Sequence, residues 1–270
     1  MDLDPIHAAL SETRFTDVRW VARTGSTNSD LLEAARQGAP EGIVEAADEQ
    51  TAGRGRLDRS WEAPAGSSLL VSVLLRPSLA FDRVQLVSSA VGIAASEACA
   101  ALAPVQPLLK WPNDLVVVGG ARFEGRKLGG ILAEAVLEAG RLQAVVVGLG
   151  LNVNWPEQLP PELDAIAVSL NHVVDETVDR ARLLTELLLR LEHWYGLLVG
   201  GGDDGAAAVL RRYRELSATL GRTVRAELPD GDVEGEAVDV TGAGHLQVRQ
   251  PSGELVEVTA GDVVHLRPAH

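Results

Sequence analysis

A glycine- and arginine-rich segment at residues 50–61 (QTAGRGRLDRSW) holds the side chains best suited to chemistry in this chain. Gly53 and Gly55 lack a Cβ, so the backbone there can turn sharply and approach a ligand closely. Three arginines in the segment carry planar guanidinium groups that pair with carboxylate or phosphate. They are Arg54, Arg56 and Arg59. Solvated surface loops also contain short Gly/Arg segments, so this one alone leaves both interpretations open.

The whole chain is acidic, with 24 Lys and Arg against 38 Asp and Glu and a formal net charge of −14. The arginine segment is positive by contrast, which indicates a small anionic ligand. The overall charge argues against general binding of nucleic acid, because that usually requires a basic face. None of the six histidines lies at metal-ligand spacing from another His or Cys. We therefore expect no protein-held metal, and any metal would be a hard cation carried by phosphates.

The chain also carries signals about its compartment. Cys99 is the only cysteine, so no internal disulfide can form. No apolar run approaches 18 residues without interruption, which argues against a membrane span. The first residues, MDLDP, lack the basic and apolar regions of a secretory signal. We expect a cytoplasmic protein without a membrane partner.

Hydrophobic periodicity predicts the elements that must position these side chains. Strands are predicted at 18–22, 43–47, 68–75, 108–111, 115–118, 127–136 and 142–147. Helices are predicted at 29–37, 82–102, 177–199 and 206–217, with a flexible glycine-rich link at 200–205. After Gly221, short alternating runs separated by Gly-containing turns predict a barrel of about five strands. The pattern predicts two domains, at 1–218 and 219–270.

Four further segments combine small and polar residues at the ends of predicted strands. They are 24–28 (TGSTN), 110–114 (KWPND), 126–132 (RKLGGIL) and 148–152 (GLGLN). Each has a purely structural alternative, namely a helix cap, a proline turn, a close backbone approach or a strand bulge. Paired glycines in a strand also provide a flat surface on which a ligand can lie. Singly these segments are ambiguous, so their joint presence and order carry the argument.

Together TGSTN, EQTAGRGR with the following Trp61, KWPND, RKLGGIL and GLGLN resemble the biotin–protein ligases. The resemblance runs from about residue 20 to residue 267 and implies an α+β fold. A mixed β-sheet flanked by helices, similar to class II aminoacyl-tRNA synthetases, would precede a small C-terminal SH3-like β-barrel. It implies the monofunctional type, lacking an N-terminal helix-turn-helix domain. The implied enzyme activates biotin with ATP to biotinyl-5′-AMP and transfers the biotinyl group to one lysine of a biotin carboxyl carrier protein domain.

The resemblance also implies roles for individual residues. The implied biotin contacts are Ser26, Thr27, Gln50, Gly53, Arg54, Arg56, Lys127 and Gly130. The implied nucleotide contacts are Arg56, Arg59, Trp61, Asn113, Lys127, Asn152 and Arg267. The residues implied to act in catalysis are Lys127, Arg54, Arg56, Lys110 and Asp114. Mg²⁺ would arrive bound to ATP.

The chain departs from the family pattern in two places. Leu57 and Asp58 stand where relatives often have Arg-Gly, and the stretch at 117–125 is longer than in compact relatives, so we expect it to be a hairpin tip.

The nearest alternative function is that of a lipoate or octanoate ligase or transferase of the same fold. Such an enzyme needs an apolar acyl tunnel, whereas Ser26 and Thr27 are polar. A biotin-sensing DNA-binding repressor is disfavoured by the negative charge, so no nucleic-acid partner is expected. The sequence does not distinguish a monomer from a homodimer.

Overall fold

The computed structural model describes residues 2–119, 122–228, 231–259 and 261–266. Its first sheet contains the strands β1 (Asp17–Thr24), β2 (Ile43–Gln50), β3 (Ser68–Leu75), β4 (Leu108–Lys110), β5 (Asp114–Val116), β6 (Lys127–Glu138) and β7 (Arg141–Asn152). Their order is β1-β2-β3-β7-β6-β5-β4. The β1–β2 pair is parallel and the other pairs are antiparallel, so the sheet is mixed as predicted.

Helices cover the two faces of this sheet unequally. They are α1 (Asp4–Ala9), α2 (Thr27–Arg36), α3 (Gln85–Leu102), α4 (Pro161–Asp164), α5 (Leu170–Val174), α6 (Arg180–Gly200) and α7 (Gly202–Glu215), with a 3-10 turn at Phe81–Arg83. Helix α3 packs between one face and α6, where the larger apolar core lies. The ten-residue α2 packs on the opposite face over a small cluster that includes Leu31, Leu74 and Val146. Because α2 is short, part of that face stays open.

The α3 helix is almost entirely buried. With the preceding turn, Phe81–Leu102 is long and apolar enough by length and composition to cross a membrane, and 72% of its most apolar window lies inside the fold. That burial is typical of a core helix. Its Cys99 is fully buried.

The predicted flexible link at 200–205 is wrong. Only Gly201 separates α6 from α7. Two glycines explain how the chain reverses so tightly: Gly202 has a left-handed φ of +56°, and a Cβ on Gly205 would lie 1.9 Å from the Leu197 carbonyl oxygen. The glycines therefore serve close packing of two helices and not flexibility. The predicted hairpin tip at 117–125 includes residues 120–121, which lie outside the described residues; at its base the amide of Gly125 donates to the carbonyl of Val117.

The second sheet follows α7 and has the five strands predicted for the C-terminal region. They are β8 (Thr223–Glu227), β9 (Val233–Val240), β10 (Leu246–Arg249), β11 (Leu255–Val258) and β12 (Asp262–His265). The sheet is antiparallel, in the order β11-β10-β9-β8-β12. Trp111 Nε1 donates to the carbonyl of Gly244 (3.0 Å), and Arg214 on α7 pairs with Asp239 on β9 (2.6 Å). The small sheet therefore packs directly against the first domain.

Gly205→Ala is expected to lower the free energy of unfolding. The new methyl group collides with backbone, and overpacking of this kind costs about 1–3 kcal/mol. Gly200→Ala is the matched control, because a Cβ there meets nothing within 4 Å and alanine favours a helix by up to about 1 kcal/mol. Urea denaturation of both variants measures the difference. Equal stability of the two would contradict the packing role of Gly205.

Candidate active site

A cavity of about 140 Å³ opens on the sheet face that α2 leaves uncovered. It collects residues from five of the segments singled out in the sequence. The segment at 148–152 contributes Gly148, Leu149 and Gly150, and the predicted site residues that line the cavity are Ser26, Thr27, Gln50, Arg54, Arg56, Arg59, Trp61, Asn113, Asp114, Lys127 and Gly130. Asp262 of β12 also lines it. The cleft thus joins the N-terminus of α2, the arginine segment, the ends of β5 and β6, and one strand of the small sheet.

One wall of the cleft is a chain of polar side chains at the start of α2. Ser26 is the N-cap residue, and its hydroxyl accepts from the amide of Ser29 (3.5 Å). Gln50 Oε1 accepts from the backbone amide of Thr27 (2.8 Å), and Thr27 Oγ1 lies 2.7 Å from Ser72 Oγ. Ser72 donates in turn to Asn28 Oδ1 (2.6 Å). The wall therefore has a fixed arrangement of donors and acceptors suited to a polar ring.

The arginine loop, residues 53–61, folds as a tight hairpin. Arg54 and Ser60 form an antiparallel bridge, and the amide of Trp61 donates to the carbonyl of Gly53 (2.9 Å). Leu57 and Asp58 at the tip have left-handed φ values of 53° and 57°. Consecutive left-handed residues are typical of a type I′ turn, which usually carries Asn-Gly. Here the turn is built from two residues that have a Cβ.

The floor of the cleft is a pair of glycines on which the Trp61 indole lies. Gly130 and Gly150 are register partners in β6 and β7. A Cβ on Gly150 would lie 2.4 Å from Trp61 Cε2, and one on Gly130 would lie 3.0 Å from Trp61 Cζ3. Lys127 Nζ lies 5.3 Å from the centre of a Trp61 ring, within cation–π distance. The indole Nε1 is buried and has no hydrogen-bond partner among the described residues. That donor is available to an acceptor on a ligand.

Cations of the cleft are held by carboxylates from three different strands. Lys127 Nζ pairs with Asp114 Oδ1 (2.7 Å), Arg54 pairs with Glu134, and Arg59 pairs with Asp262 (2.5 Å).

Arg56 is different, because it forms no salt bridge with any described carboxylate. Its NH1 donates to Asn113 Oδ1 (3.3 Å) and to the Gly261 carbonyl (3.4 Å). Burial lowers the pKa of its guanidinium from the ordinary value, while Asp262 and Asp114 partly oppose that shift. A partly buried guanidinium whose hydrogen-bond partners are all neutral is the cation best prepared to receive an anion.

Of the predicted site residues that the structure describes, three do not line the cavity. Gly53 lies at the base of the loop, where a Cβ would be 2.4 Å from the Trp61 carbonyl oxygen. Lys110 lies outside the cleft lining at the end of β4. Asn152 is buried and donates to the carbonyl of Val168 (3.0 Å), which gives it a structural contact. Arg267 falls outside the described residues, so its nucleotide contact stays a prediction.

Sequence reasoning missed four residues of the site, Asn28, Ser72, Glu134 and Asp262. Asn28 Nδ2 donates to Glu134 Oε2 (2.9 Å), so the polar wall continues through Glu134 to Arg54. Gly148 provides the room, because a Cβ there would lie 2.3 Å from Asn28 Oδ1. Asn28 belongs to the quoted TGSTN segment, which was a usable signal. Glu134 and Asp262 have no such signal, since they belong to ordinary alternating strands.

The chain belongs to the biotin/lipoate A/B protein ligase family, whose sequence profile matches residues 20–152. The profile of the biotin protein ligase C terminal domain matches residues 219–266. A biotin–[acetyl-CoA-carboxylase] ligase of Mycobacterium tuberculosis is 41% identical over 98% of this chain and 94% of its own length. A bifunctional ligase/repressor of Bacillus subtilis is 31% identical over 88% of this chain and 70% of its own length.

Among solved structures, a biotin protein ligase from Aquifex aeolicus in complex with biotin and ATP superposes with a TM-score of 0.76. It is 26% identical and covers 94% of this chain and 100% of its own. These comparisons confirm the predicted fold and the predicted class, an ATP-dependent biotin–protein ligase, and favour it over a lipoate or octanoate enzyme.

Gly150→Ala is expected to push the Trp61 indole off the glycine floor, because the added methyl group overlaps the ring. Displacement should shift tryptophan emission to longer wavelength and slow product formation by roughly tenfold to 100-fold, as misplaced site groups do. The same substitution in a Trp61→Phe background should leave the emission unchanged. An unaltered spectrum of Gly150→Ala alone would show that Trp61 does not rest there.

Glu45, on the α2 side of β2, gives a pH prediction. Burial, aided by Asp30, raises the pKa of its carboxyl from 4.5 to about 7. Because the folded state holds this proton more tightly than the unfolded state, Glu45 destabilises the protein increasingly as the pH rises from about 4.5 to about 7. Glu45→Gln should therefore gain stability over the wild type across that window, measured by urea unfolding at about pH 5 and about pH 8. If the difference in unfolding free energy between Glu45→Gln and wild type is the same at both pH values, the raised pKa of Glu45 is contradicted.

Proposed function

We propose that this protein attaches biotin to a lysine of a carrier domain in two steps within the cleft described above. The observation that carries the proposal is the convergence of four cations on a polar wall in a chain of net charge −14. Those cations are Arg54, Arg56, Arg59 and Lys127. A carboxylate and a triphosphate repel each other, and positive charge fixed in place offsets that repulsion.

In the first step a carboxylate oxygen of biotin forms a bond to the α-phosphorus of ATP. The bond from that phosphorus to the oxygen bridging the β-phosphate breaks, and pyrophosphate leaves. We assign Lys127 and Arg56 to neutralise the carboxylate and the α-phosphate, because both line the cleft and Arg56 has only neutral partners. Catalysis then rests on orientation and charge, with no covalent bond to the enzyme.

For biotin itself we assign the wall of Ser26, Thr27 and Gln50 to the ureido ring. Ring nitrogens and the ring carbonyl need acceptors and a donor, and this wall supplies hydroxyl and amide groups of both kinds. Gly130 would lie under the ligand. Asn113 and Arg59 also line the cleft, and we place the nucleotide beside them. Asn152 is predicted to contact the nucleotide, but its Nδ2 donates to the Val168 carbonyl inside the fold, so we assign it no nucleotide contact.

In the second step the neutral ε-amine of a carrier lysine attacks the acyl carbon of biotinyl-5′-AMP. The bond from that carbon to the phosphate oxygen breaks, AMP leaves, and the nitrogen loses a proton. We assign Asp114 to accept it, because its carboxylate lines the cleft beside Lys127. The name of the Mycobacterium tuberculosis relative supports a biotin carboxyl carrier protein domain of a carboxylase as the acceptor.

Mg²⁺ is proposed to enter with ATP. Among the described residues no group of three or more His, Cys, Asp or Glu side chains could hold a metal. The cleft carboxylates Asp114 and Asp262 already neutralise Lys127 and Arg59. This donor set fits a cation held chiefly by phosphate oxygens, which screens the charge of the leaving pyrophosphate.

We further propose the domain boundary at 218/219, a cytoplasmic location and no nucleic-acid partner. The boundary is supported by the start of β8 at Thr223 and by the separate five-stranded sheet. The lone buried Cys99 suits a reducing compartment. A homodimer remains a further alternative, because β1 lies at one edge of the large sheet and could pair with a second copy.

Lys127→Ala is expected to slow biotin-dependent exchange of pyrophosphate into ATP by 10²–10³, or roughly 2.7–4 kcal/mol, as loss of one donor to a developing charge does. Arg23→Ala, which removes an exposed cation of β1 outside the cleft, is the matched control and should exchange at the wild-type rate. Near wild-type exchange by Lys127→Ala would show that this residue is misassigned.

The same assay tests the substrate. Wild-type protein is given biotin, lipoate or octanoate in parallel, and only biotin should support exchange. Exchange with lipoate or octanoate and none with biotin would overturn the proposed function.

A further inference from the structure

The small sheet reaches into the cleft through the start of its last strand. Asp262, the first residue of β12, lines the cavity and pairs with Arg59 of the arginine loop (2.5 Å). The preceding residue, Gly261, accepts a hydrogen bond from Arg56 NH1 at its carbonyl (3.4 Å). Two consecutive residues of the small sheet therefore hold two arginines of one loop.

The backbone at this contact is built for close approach. Gly261 has a φ of +129°, and a Cβ there would lie 2.7 Å from both the Glu227 carbonyl and Leu228 Cδ2. Only glycine fits that geometry, which brings the start of β12 against β8 and directs Asp262 toward the loop.

The arginine loop needs such a partner. Its tip places Leu57 and Asp58 in left-handed backbone conformations, which are unfavourable for residues with a Cβ. Leu57 is 64% exposed, so the tip gains little from burial. Contacts outside the hairpin must therefore favour the folded loop, and the pair of Arg59 with Asp262 is one such contact near the tip.

We propose that Asp262 is a positioning residue that holds the arginine loop over the cleft through Arg59, so that Arg56 is in place before ATP binds. The inference rests on the proposed function of the cleft, and it ties the small sheet to nucleotide activation. Asp262 touches neither reacting atom. Its effect is expected on the population of the folded loop and hence on the concentration of ATP required.

The first test measures loop opening without any substrate. Chymotrypsin cleavage after Leu57, followed by mass spectrometry, reports the open population when reclosure is fast. Asp262→Asn should be cleaved about twofold to fivefold faster than wild type, the range of an exposed ion pair. Asp262→Glu, which keeps the carboxylate, should restore slow cleavage.

The second test separates positioning from general damage. Asp262→Asn should raise the KM for ATP in pyrophosphate exchange by about twofold to fivefold and leave kcat nearly unchanged. Asp239→Asn is the matched control, since it breaks another ion pair between the small sheet and the first domain, with Arg214 (2.6 Å). Asp239→Asn should change neither the cleavage rate at Leu57 nor the KM for ATP.

A double-mutant cycle tests whether Asp262 acts through Arg59. In an Arg59→Gln background, Asp262→Asn should add no further cleavage at Leu57. An undiminished effect in that background would overturn the proposal, as would unchanged cleavage in the single variant or an equal effect of Asp239→Asn. Absence of biotin-dependent exchange in wild type would instead overturn the proposed function, because the cleavage comparison requires no substrate.

Discussion

Repulsion between like charges is the constraint on which the cleft depends. Lys127 and three arginines line one cavity, and without neutralising partners these cations would repel each other. Carboxylates of β5, β6 and β12 prevent this, since each pairs with one cation. The exception, Arg56, is held by neutral oxygens and is partly desolvated. Arg56 can therefore attract an anion strongly, while the charges of Lys127, Arg54 and Arg59 are neutralised by carboxylates of the protein.

The large sheet provides this arrangement by being covered unequally. One face carries α3 and α6 and supplies the main core, whereas the short α2 leaves the other face open beside its own N-terminus. On that open face Gly130 and Gly150, which are register partners, have no side chains, and this leaves room for the Trp61 ring. The candidate active site therefore lies on the part of the sheet that the helices leave uncovered.

Much of this could be predicted from the sequence, and the limits have physical reasons. Strand β3 was predictable because its eight residues form a nearly continuous apolar run bounded by polar residues and proline. The site segments were recognisable because five of them occur together in one order. The 200–205 segment was misassigned because glycine permits both flexibility and close helix packing, and only the Leu197 contact distinguishes them. Glu134 and Asp262 were missed because a carboxylate in an alternating strand looks like any solvated residue until its partner from a distant segment is known.

The position of Cys99 has a practical consequence. Its thiol is fully buried in α3, and burial raises its pKa to about 12, so thiolate-selective reagents have almost nothing to react with in the folded protein. A single cysteine introduced on the exposed tip of the arginine loop would then be the one site open to a maleimide dye. The chain is thus already suited to following loop motion by site-specific fluorescence, without first removing a native sulfur.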